Sequence, residues 1–456
     1  MKKHVALVGF MGAGKTTIAR SLGLPTVSTD DDVPIELFDL GEPAFREREA
    51  EVVHAVLARA EPLVVDLGGG AVTTPSVREL LRERATVVWL DVDVDTAWER
   101  VKGGDRPLAQ SYEEFKRRYE ERRPLYEQVA DLTARDADDV VLAAAGIAVE
   151  RGALRRLGEF VGGPAALVTD PNVNGIHGMD AQLALGKRLR NTHEVPAGEE
   201  AKTLAALDRL WQELRLDRRG TIVALGGGCT TDAAGFAAAT YLRGIDWLPV
   251  PTSLVGQVDA AIGGKTAIDL PQGKNLVGAF HWPARTVIDP ALLETLPEPQ
   301  RLEGMAEVVK TGLLAGEPLW ELPDHELVRR CAAFKAAICL RDPFERGERA
   351  VLNLGHTFAH ALEAAAGYEG LTHGRAVALG LLAALRLSGR DTAVVEEVLR
   401  PEPARVDRER AWQAMRRDKK ARAGEIRLVL LGANGPEWGV VLPEGDVRRE
   451  LDRLIA

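Results

Sequence analysis

The segment Gly9-Phe-Met-Gly-Ala-Gly14-Lys15-Thr16 restricts the fold of this chain more than any other part of its sequence. It matches G-x-x-x-x-G-K-[ST]. The run at residues 4–8 before it is short and apolar, with strand character, and residues 16–22 after it are suited to open a helix. Strand, glycine loop and helix in that order cradle phosphate. Glycines let backbone amides turn toward phosphate oxygens, and the helix N-terminus adds positive potential. Lys15 reaches the outer phosphates and Thr16 offers a hydroxyl to magnesium. The expected nucleotide ligands are Gly12, Gly14, Lys15, Thr16 and Thr17. A glycine-rich turn that binds nothing is the bland alternative, and the flanking strand and helix argue against it.

The rest of the N-terminal region continues the α/β pattern. Short β-rich runs at residues 63–67 and 86–90 alternate with stretches of helical composition such as residues 45–59. This unit is expected to end near Ala145, without a Gly/Ser- or Pro-rich linker. After Gly146 the pattern restarts, with strand-like residues 165–168 and 221–225. From about Pro299 helical periodicity dominates, as in the Ala- and Leu-rich residues 376–387.

Composition excludes several function classes. The 456 residues are 46% apolar, enough for sizeable cores, and the net charge of −10 argues against a nucleic-acid or anionic-membrane partner. Anionic ligands must therefore meet local basic clusters. Three cysteines without a CxxC pair point to a reducing compartment, with the cytoplasm as the expected location. The opening MKKHVALVGF has a basic then apolar character, but the apolar run breaks at Gly9 and meets Lys15, unlike a secretory signal. No stretch reaches the ~18 apolar residues of a membrane span.

Behind the phosphate loop come Asp30-Asp31-Asp32, Phe45-Arg46, Leu67-Gly68-Gly69-Gly70 and Arg106. Taken singly, an acidic triplet reads as a solvated loop and an arginine as a surface residue. Taken together they resemble the shikimate kinase family, in GFMGAGKTT, D-x-D-V-x-I-E at 30–36, G-E-x-x-F-R-x-x-E at 41–49, LGGGAV at 67–72, R-P-L at 106–108 and R-x-P-L-Y at 122–126. The resemblance spans nearly all of residues 1–145. It implies that Asp32, Arg46, Gly69 and Arg122 hold shikimate, that Asp30 helps Thr16 organise magnesium, and that Arg106 lies in a lid over ATP. The chemistry agrees: a carboxylate-bearing acceptor calls for bidentate arginines, and Asp32 is placed to orient or deprotonate the attacking hydroxyl while Lys15 serves the γ-phosphate. The chain between Asp32 and Gly41 is shorter than the family pattern.

In the C-terminal part, residues 221–225 run into Gly226-Gly227-Gly228, which a tight structural turn explains as readily as a pyrophosphate site. The polar series that follows, Arg243, Asp259, Lys265, Lys274 and Asn275, sits in Gly- and Ala-rich sequence and suits a pocket for a multiply charged anion. His356 and His360 are four apart, on one face of a helix, and His373 follows; spacing alone leaves open which of them would bind a metal. Glu307, in an apolar stretch, needs either a metal or a lysine as partner.

In order, LGGGCTTD, FAAATYLRG, VPTSLVGQVDAAIGGKTAID, GKNLVGAF, GMAEVVKTG, ERAVLNLGHTFAH, THGRAV and RDKK resemble 3-dehydroquinate synthase across residues 147–456. The resemblance implies zinc or another divalent ion on Glu307, His356 and His373, with His360 beside the substrate. It implies substrate contacts or catalytic roles for Asp259, Lys265, Asn275, Lys310, Lys335, Arg349, Asn353, Lys419 and Lys420, with Arg243 contributed from a neighbouring subunit of a homodimer. NAD contacts would come from Asp170, Asn172, Glu199, Lys202, Gly226, Gly227, Gly228, Asp232, Thr252, Ser253, Lys274 and Thr295.

The implied architecture is α/β: a P-loop kinase domain at 1–145, a Rossmann-like NAD-binding domain at 146–298 and a mostly helical metal- and substrate-binding domain at 299–456. Ala359 stands where glycine is expected, and Arg375 where glutamate is expected. Three other readings remain: a related sugar-phosphate cyclase, a metal-dependent alcohol dehydrogenase, and a non-catalytic nucleotide-binding N-terminal module.

Overall fold

The computed structural model describes residues 4–103, 111–367, 370–417 and 425–456. Arg106, Lys419 and Lys420 lie outside them. The chain forms two compact units, Met1–Gly146 and Ile147–Ala456.

The first unit is a five-stranded parallel sheet in the order β2-β3-β1-β4-β5, built from β1 (His4–Val8), β2 (Thr26–Ser28), β3 (Val64–Asp66), β4 (Ala85–Leu90) and β5 (Leu132–Ala134). Every residue of the central β1 is buried, as expected of a parallel strand covered on both faces, and this is why HVALV reads as a continuous apolar run. The phosphate loop leaves β1 and enters α1 (Lys15–Ser21). Helices α2 (Glu42–Leu57) and α3 (Tyr112–Val129) supply Phe45, Val53, Phe115 and Tyr126 to the core beside Val8, Val65 and Val87. The shortened segment before Gly41 folds as a 3-10 stretch, Ile35–Leu40, which leaves Ile35 and Leu40 exposed.

The second unit opens with β6 (Ile147–Val149). It contains a four-stranded parallel sheet, order β10-β9-β7-β8, of β7 (Ala165–Thr169), β8 (Leu189–Glu194), β9 (Thr221–Gly226) and β10 (Asp246–Pro251). Helix α4 (Gly228–Thr240) follows the triple glycine directly. An antiparallel hairpin, β11 (Lys265–Leu270) with β12 (Gly273–Phe280), carries Lys265, Lys274 and Asn275, and β13 (Thr286–Ile288) pairs with β6. Three members of the polar series therefore sit on a two-stranded ribbon, which their composition does not reveal, while Arg243 and Asp259 lie on turns before it. Beyond it lie the helices α5 (Glu298–Ala315), α6 (Asp324–Arg341), α7 (His356–Ala365) and α8 (His373–Leu387), around a core that includes Phe358, Ala359, Leu362 and Leu381. A terminal hairpin, β14 (Leu428–Gly432) and β15 (Gly435–Val440), packs on this helical layer. Among the described residues no helix is long and apolar enough to cross a membrane.

Candidate active sites

In the first unit the loop after β1 is shaped by Gly12 (φ 86°) and Gly14 (φ 88°), both in the left-handed region. A Cβ at Gly12 would fall 2.5 Å from the carbonyl oxygen of Ala97, so only glycine lets the loop pass. No side chain caps α1. The glycine at its cap position puts no side chain in the way of an anion approaching the helix start. Lys15 is buried and arches over its own loop, donating to the carbonyls of Gly9 (3.0 Å) and Phe10 (3.5 Å). Thr16 Oγ1 donates to Asp66 Oδ2 at 2.5 Å, and Thr17 is exposed.

Asp66 ends β3 and was not singled out in the sequence; a carboxylate closing an apolar strand beside a glycine run was the available signal. Asp30 and Asp32 lie on the 3-10 turn Thr29–Asp32, which is pinned to the end of β3 by the Gly68 amide donating to Thr29 Oγ1 (3.0 Å). Asp32 is exposed. Asp30 lies beside Gly68, where a Cβ would come within 2.5 Å of its Oδ1.

The two predicted arginines converge. Arg46 donates to Glu49 Oε2 (2.6 Å) and to Glu42 Oε1 (3.0 Å), and Arg122 and Arg118 stand 3.5 and 3.6 Å from the Glu42 carboxylate. Burial would raise the Glu42 pKa, but the charges of Arg46, Arg122 and Arg118 outweigh it and hold the carboxyl below its ordinary value. Burial pushes Glu49 up. Arg122 and the buried Tyr126 both donate to the Gly69 carbonyl, and Gly69 lies against the phosphate loop, its Cβ position 3.3 Å from the Met11 amide. The phosphate loop, Gly69 and the three arginines gathered on Glu42 therefore lie side by side. Sequence reasoning missed Arg118, although its i, i+4 spacing from Arg122 puts both on one face of α3.

In the second unit α4 likewise starts at glycine with no side-chain cap. A Cβ at Gly226 would lie 2.6 Å from that of Thr230, and one at Gly227 3.5 Å from Ser253 Oγ. The Thr252 amide donates to the Gly226 carbonyl. Asp170 caps Asn172 and Val173 and accepts from Thr230 Oγ1. Lys202 is buried among Asp232 (3.0 Å), Asp269 (3.7 Å), Glu199 (3.9 Å) and Asn275, and Lys274 pairs with Glu199 (2.6 Å). Burial raises Asp232 to about 6, with Lys202 opposing. Thr295 meets His177 at 2.8 Å. Uncapped amides at a bare helix start, with carboxylates nearby to accept ribose hydroxyls, fit a dinucleotide.

The ligand atoms of Glu307, His356 and His373 lie within 4.8 Å of one another. Glu307 Oε1 is 3.5 Å from His356 Nε2 and 3.3 Å from His373 Nε2. Each histidine is held by its other ring nitrogen, His356 Nδ1 on the Leu354 carbonyl (3.2 Å) and His373 Nδ1 on Glu363 (3.2 Å), so both turn Nε2 to the centre. The donor set of two imidazoles and one carboxylate, with both rings oriented from behind, fits a divalent metal. His360, its ring centroid 5.5 Å from that of His356, stands beside this group and outside it. Burial and the Lys310 charge push His356 down to about 3. For His373 burial acts downward too, but hydrogen bonds to Glu307 and Glu363 overcome it and lift the group to about 10.

The second candidate partner of Glu307 is present as well, since Lys310 pairs with its Oε2. Lys310 and Lys335 share Asp259, at 3.7 and 2.9 Å. Lys265 (2.5 Å) and Asn353 (3.1 Å) both engage Glu345, a residue sequence reasoning did not select. Arg349 is 1% exposed and donates to the carbonyls of Gly263 and Pro343, bracing the wall of the site. Arg243 is exposed on a tight turn in which both it (φ 69°) and Leu242 (φ 51°) are left-handed. Arg375 is turned to Glu402 (3.1 Å), and Ala359 is buried in the helical core.

Three family models match this chain: shikimate kinase over residues 11–151, 3-dehydroquinate synthase N-terminal over 192–303, and 3-dehydroquinate synthase C-terminal over 304–421. The 3-dehydroquinate synthase of Gloeobacter violaceus is 42% identical over 346 residues, 68% of this chain and 96% of that protein. That of Bordetella pertussis is 40% identical over 320 residues, 63% and 89%. The solved structure of 2-deoxy-scyllo-inosose synthase with carbaglucose-6-phosphate, NAD+ and Co2+ has a TM-score of 0.60 at 25% identity, covering 67% of this chain and 96% of its own. The 2-epi-5-epi-valiolone synthase of Streptomyces hygroscopicus, with NAD+ and Zn2+ bound, shares the fold at TM-score 0.60 and 23% identity, covering 68% and 96%. The identity to the synthases, well above that to the other cyclases, favours the dehydroquinate reaction. The chain belongs to the 3-dehydroquinate synthase family and joins to it a shikimate kinase domain, making one enzyme with both activities.

Proposed function

We propose that the first unit transfers the γ-phosphoryl group of ATP to shikimate and that the second converts 3-deoxy-D-arabino-heptulosonate 7-phosphate to 3-dehydroquinate with release of phosphate. The observation that carries the reading is the convergence of Glu307, His356 and His373 beside the Asp259–Lys310–Lys335 cluster. In the kinase half, Arg46, Arg118 and Arg122 hold the acceptor carboxylate, Asp32 orients its hydroxyl, and Lys15 with the amides of α1 holds the phosphates. Thr16, Asp66 and Asp30 provide the oxygen ligands for magnesium.

In the synthase half, Asp170, Lys202, Asp232 and Lys274, with the backbone at the start of α4, would hold NAD. When bound, the metal polarises substrate oxygens and NAD takes and returns a hydride. Lys265, Lys310, Lys335 and Asn353 hold the carboxylate and phosphate of the substrate and face the negative charge that develops on it. Arg243 completes the phosphate contact of a neighbouring subunit in a homodimer, and the cytoplasm is the site of action.

The test is a paired assay on the purified chain: phosphate release and ring formation with NAD and zinc, and separately shikimate-dependent ADP release. Lys15→Ala should abolish only the second and His356→Ala only the first. Loss of both in either variant, or of neither, would refute the assignment of one chemistry to each unit.

A further inference from the structure

We propose that Glu303 is a positioning residue for the metal site: its carboxylate ties the start of α8, where His373 is the first residue, to α5, which carries Glu307. The inference rests on the metal reading above. Glu303 precedes Glu307 by one helical turn, on the same face of α5. Its Oε1 accepts from Thr372 Oγ1 at 2.5 Å and its Oε2 from the Gly374 amide at 2.7 Å. These are the residues on either side of His373. Thr372 stands at the cap position of α8 yet makes no capping bond of its own, because its hydroxyl is turned to Glu303. The cap of α8 is therefore supplied from another helix, by an anion at the end where the helix dipole favours one.

The contact is close as well as polar. A Cβ at Gly374 would lie 2.4 Å from the Glu303 carbonyl oxygen and 2.6 Å from its Cα, so the two backbones touch at this point. His373 needs such a brace more than the other ligands do. Its side chain is 42% exposed, against 1% for Glu307 and 12% for His356, so packing holds it least. Glu363 fixes the rotation of its ring; Glu303 fixes the backbone from which the ring projects.

The experiment measures zinc affinity by competition with a chelating indicator on the full chain, for the wild type, Glu303→Ala, Glu303→Gln and Thr372→Val. Thermal unfolding of each metal-free protein and the visible spectrum of its cobalt form are recorded alongside. Glu303→Ala should weaken zinc binding by about 10–100-fold, the range expected on removing a residue that orients a metal ligand, and should alter the cobalt spectrum. Glu303→Gln keeps an acceptor oxygen and should recover part of the loss, and Thr372→Val should show a smaller loss in the same direction. Glu402→Ala, on the surface beside Arg375, should leave affinity unchanged. If Glu303→Ala does not fold, the Gln and Thr372 variants carry the test. Zinc affinity equal to wild type in the folded Glu303 variants, even with a lowered unfolding temperature, would overturn the inference. Failure of the wild type to take up zinc would instead remove the metal reading, and this inference with it.

Discussion

Replacing Gly70 by alanine should displace Arg46 from the acceptor site of the kinase unit. Gly70 has φ −103°, a value any residue adopts, so the substitution carries no backbone strain. Its added Cβ, however, would lie 2.1–2.2 Å from Cζ, Nη1 and Nη2 of Arg46. Ordinary contact begins at 3.4 Å, so the guanidinium must withdraw by more than 1 Å. That movement breaks its bonds to Glu49 (2.6 Å) and Glu42 (3.0 Å) and misaligns it with a bound carboxylate. Because Glu49 is buried, losing its Arg46 partner should also lower the stability of the first unit, by about 1–3 kcal/mol.

A charge-assisted hydrogen bond contributes about 1.5–3 kcal/mol, which at 1.4 kcal/mol per tenfold corresponds to a rise of about 10–150-fold in the shikimate KM. Shikimate-dependent ADP release, with the KM for ATP and thermal unfolding measured in parallel, provides the assay. The KM for ATP should stay near wild type, while the unfolding temperature of the first unit falls modestly. An unchanged shikimate KM in the folded variant would refute the placement of Arg46 in the acceptor site.

Asp66→Asn should raise the magnesium concentration needed for half-maximal kinase activity by about 10–100-fold, since it removes the carboxylate held by Thr16; an unchanged magnesium titration would show that Asp66 serves packing alone. Gly374→Ala forces a methyl group into the Glu303 backbone and should lower the stability of the second unit by about 1–3 kcal/mol, seen as an earlier thermal transition. Burial pushes the thiols of Cys229 and Cys331 up to about 12 from 9.0, so at pH 8 their thiolate fraction is about a thousandfold below that of the unfolded chain. A colorimetric thiol reagent should therefore label Cys331 readily only after denaturation, and rapid labelling of Cys331 in the native protein would contradict its burial.

How much of this was legible in the sequence depended on distance along the chain. The phosphate loop could be read because strand, glycines, lysine and hydroxyl fall within a few consecutive residues, and local backbone geometry dictates their arrangement. The parallel strands could be read for a similar reason, since burial on both faces writes itself as an unbroken apolar run in β1 and β9. The hairpin of β11 and β12 could not. Its second strand, GKNLVGAF, is half apolar yet largely exposed, so burial there does not follow the apolar pattern. The histidines were visible, but their spacing left three candidates, and resemblance to a family rather than periodicity chose among them.

What only the tertiary structure decided is which charged residues are withdrawn from water and what they face. Asp66, Glu42, Arg118, Glu345, Glu363 and Glu303 look like ordinary solvated residues in the sequence. Packing places Asp66 on Thr16, Glu42 among three arginines, and Glu303 and Glu363 around His373, which lies 66 residues beyond Glu307. A motif records bonds between neighbours in the chain. The partners of a buried charge are chosen by the packing of elements distant in sequence, where loss of water makes each unpaired group costly and each pairing specific.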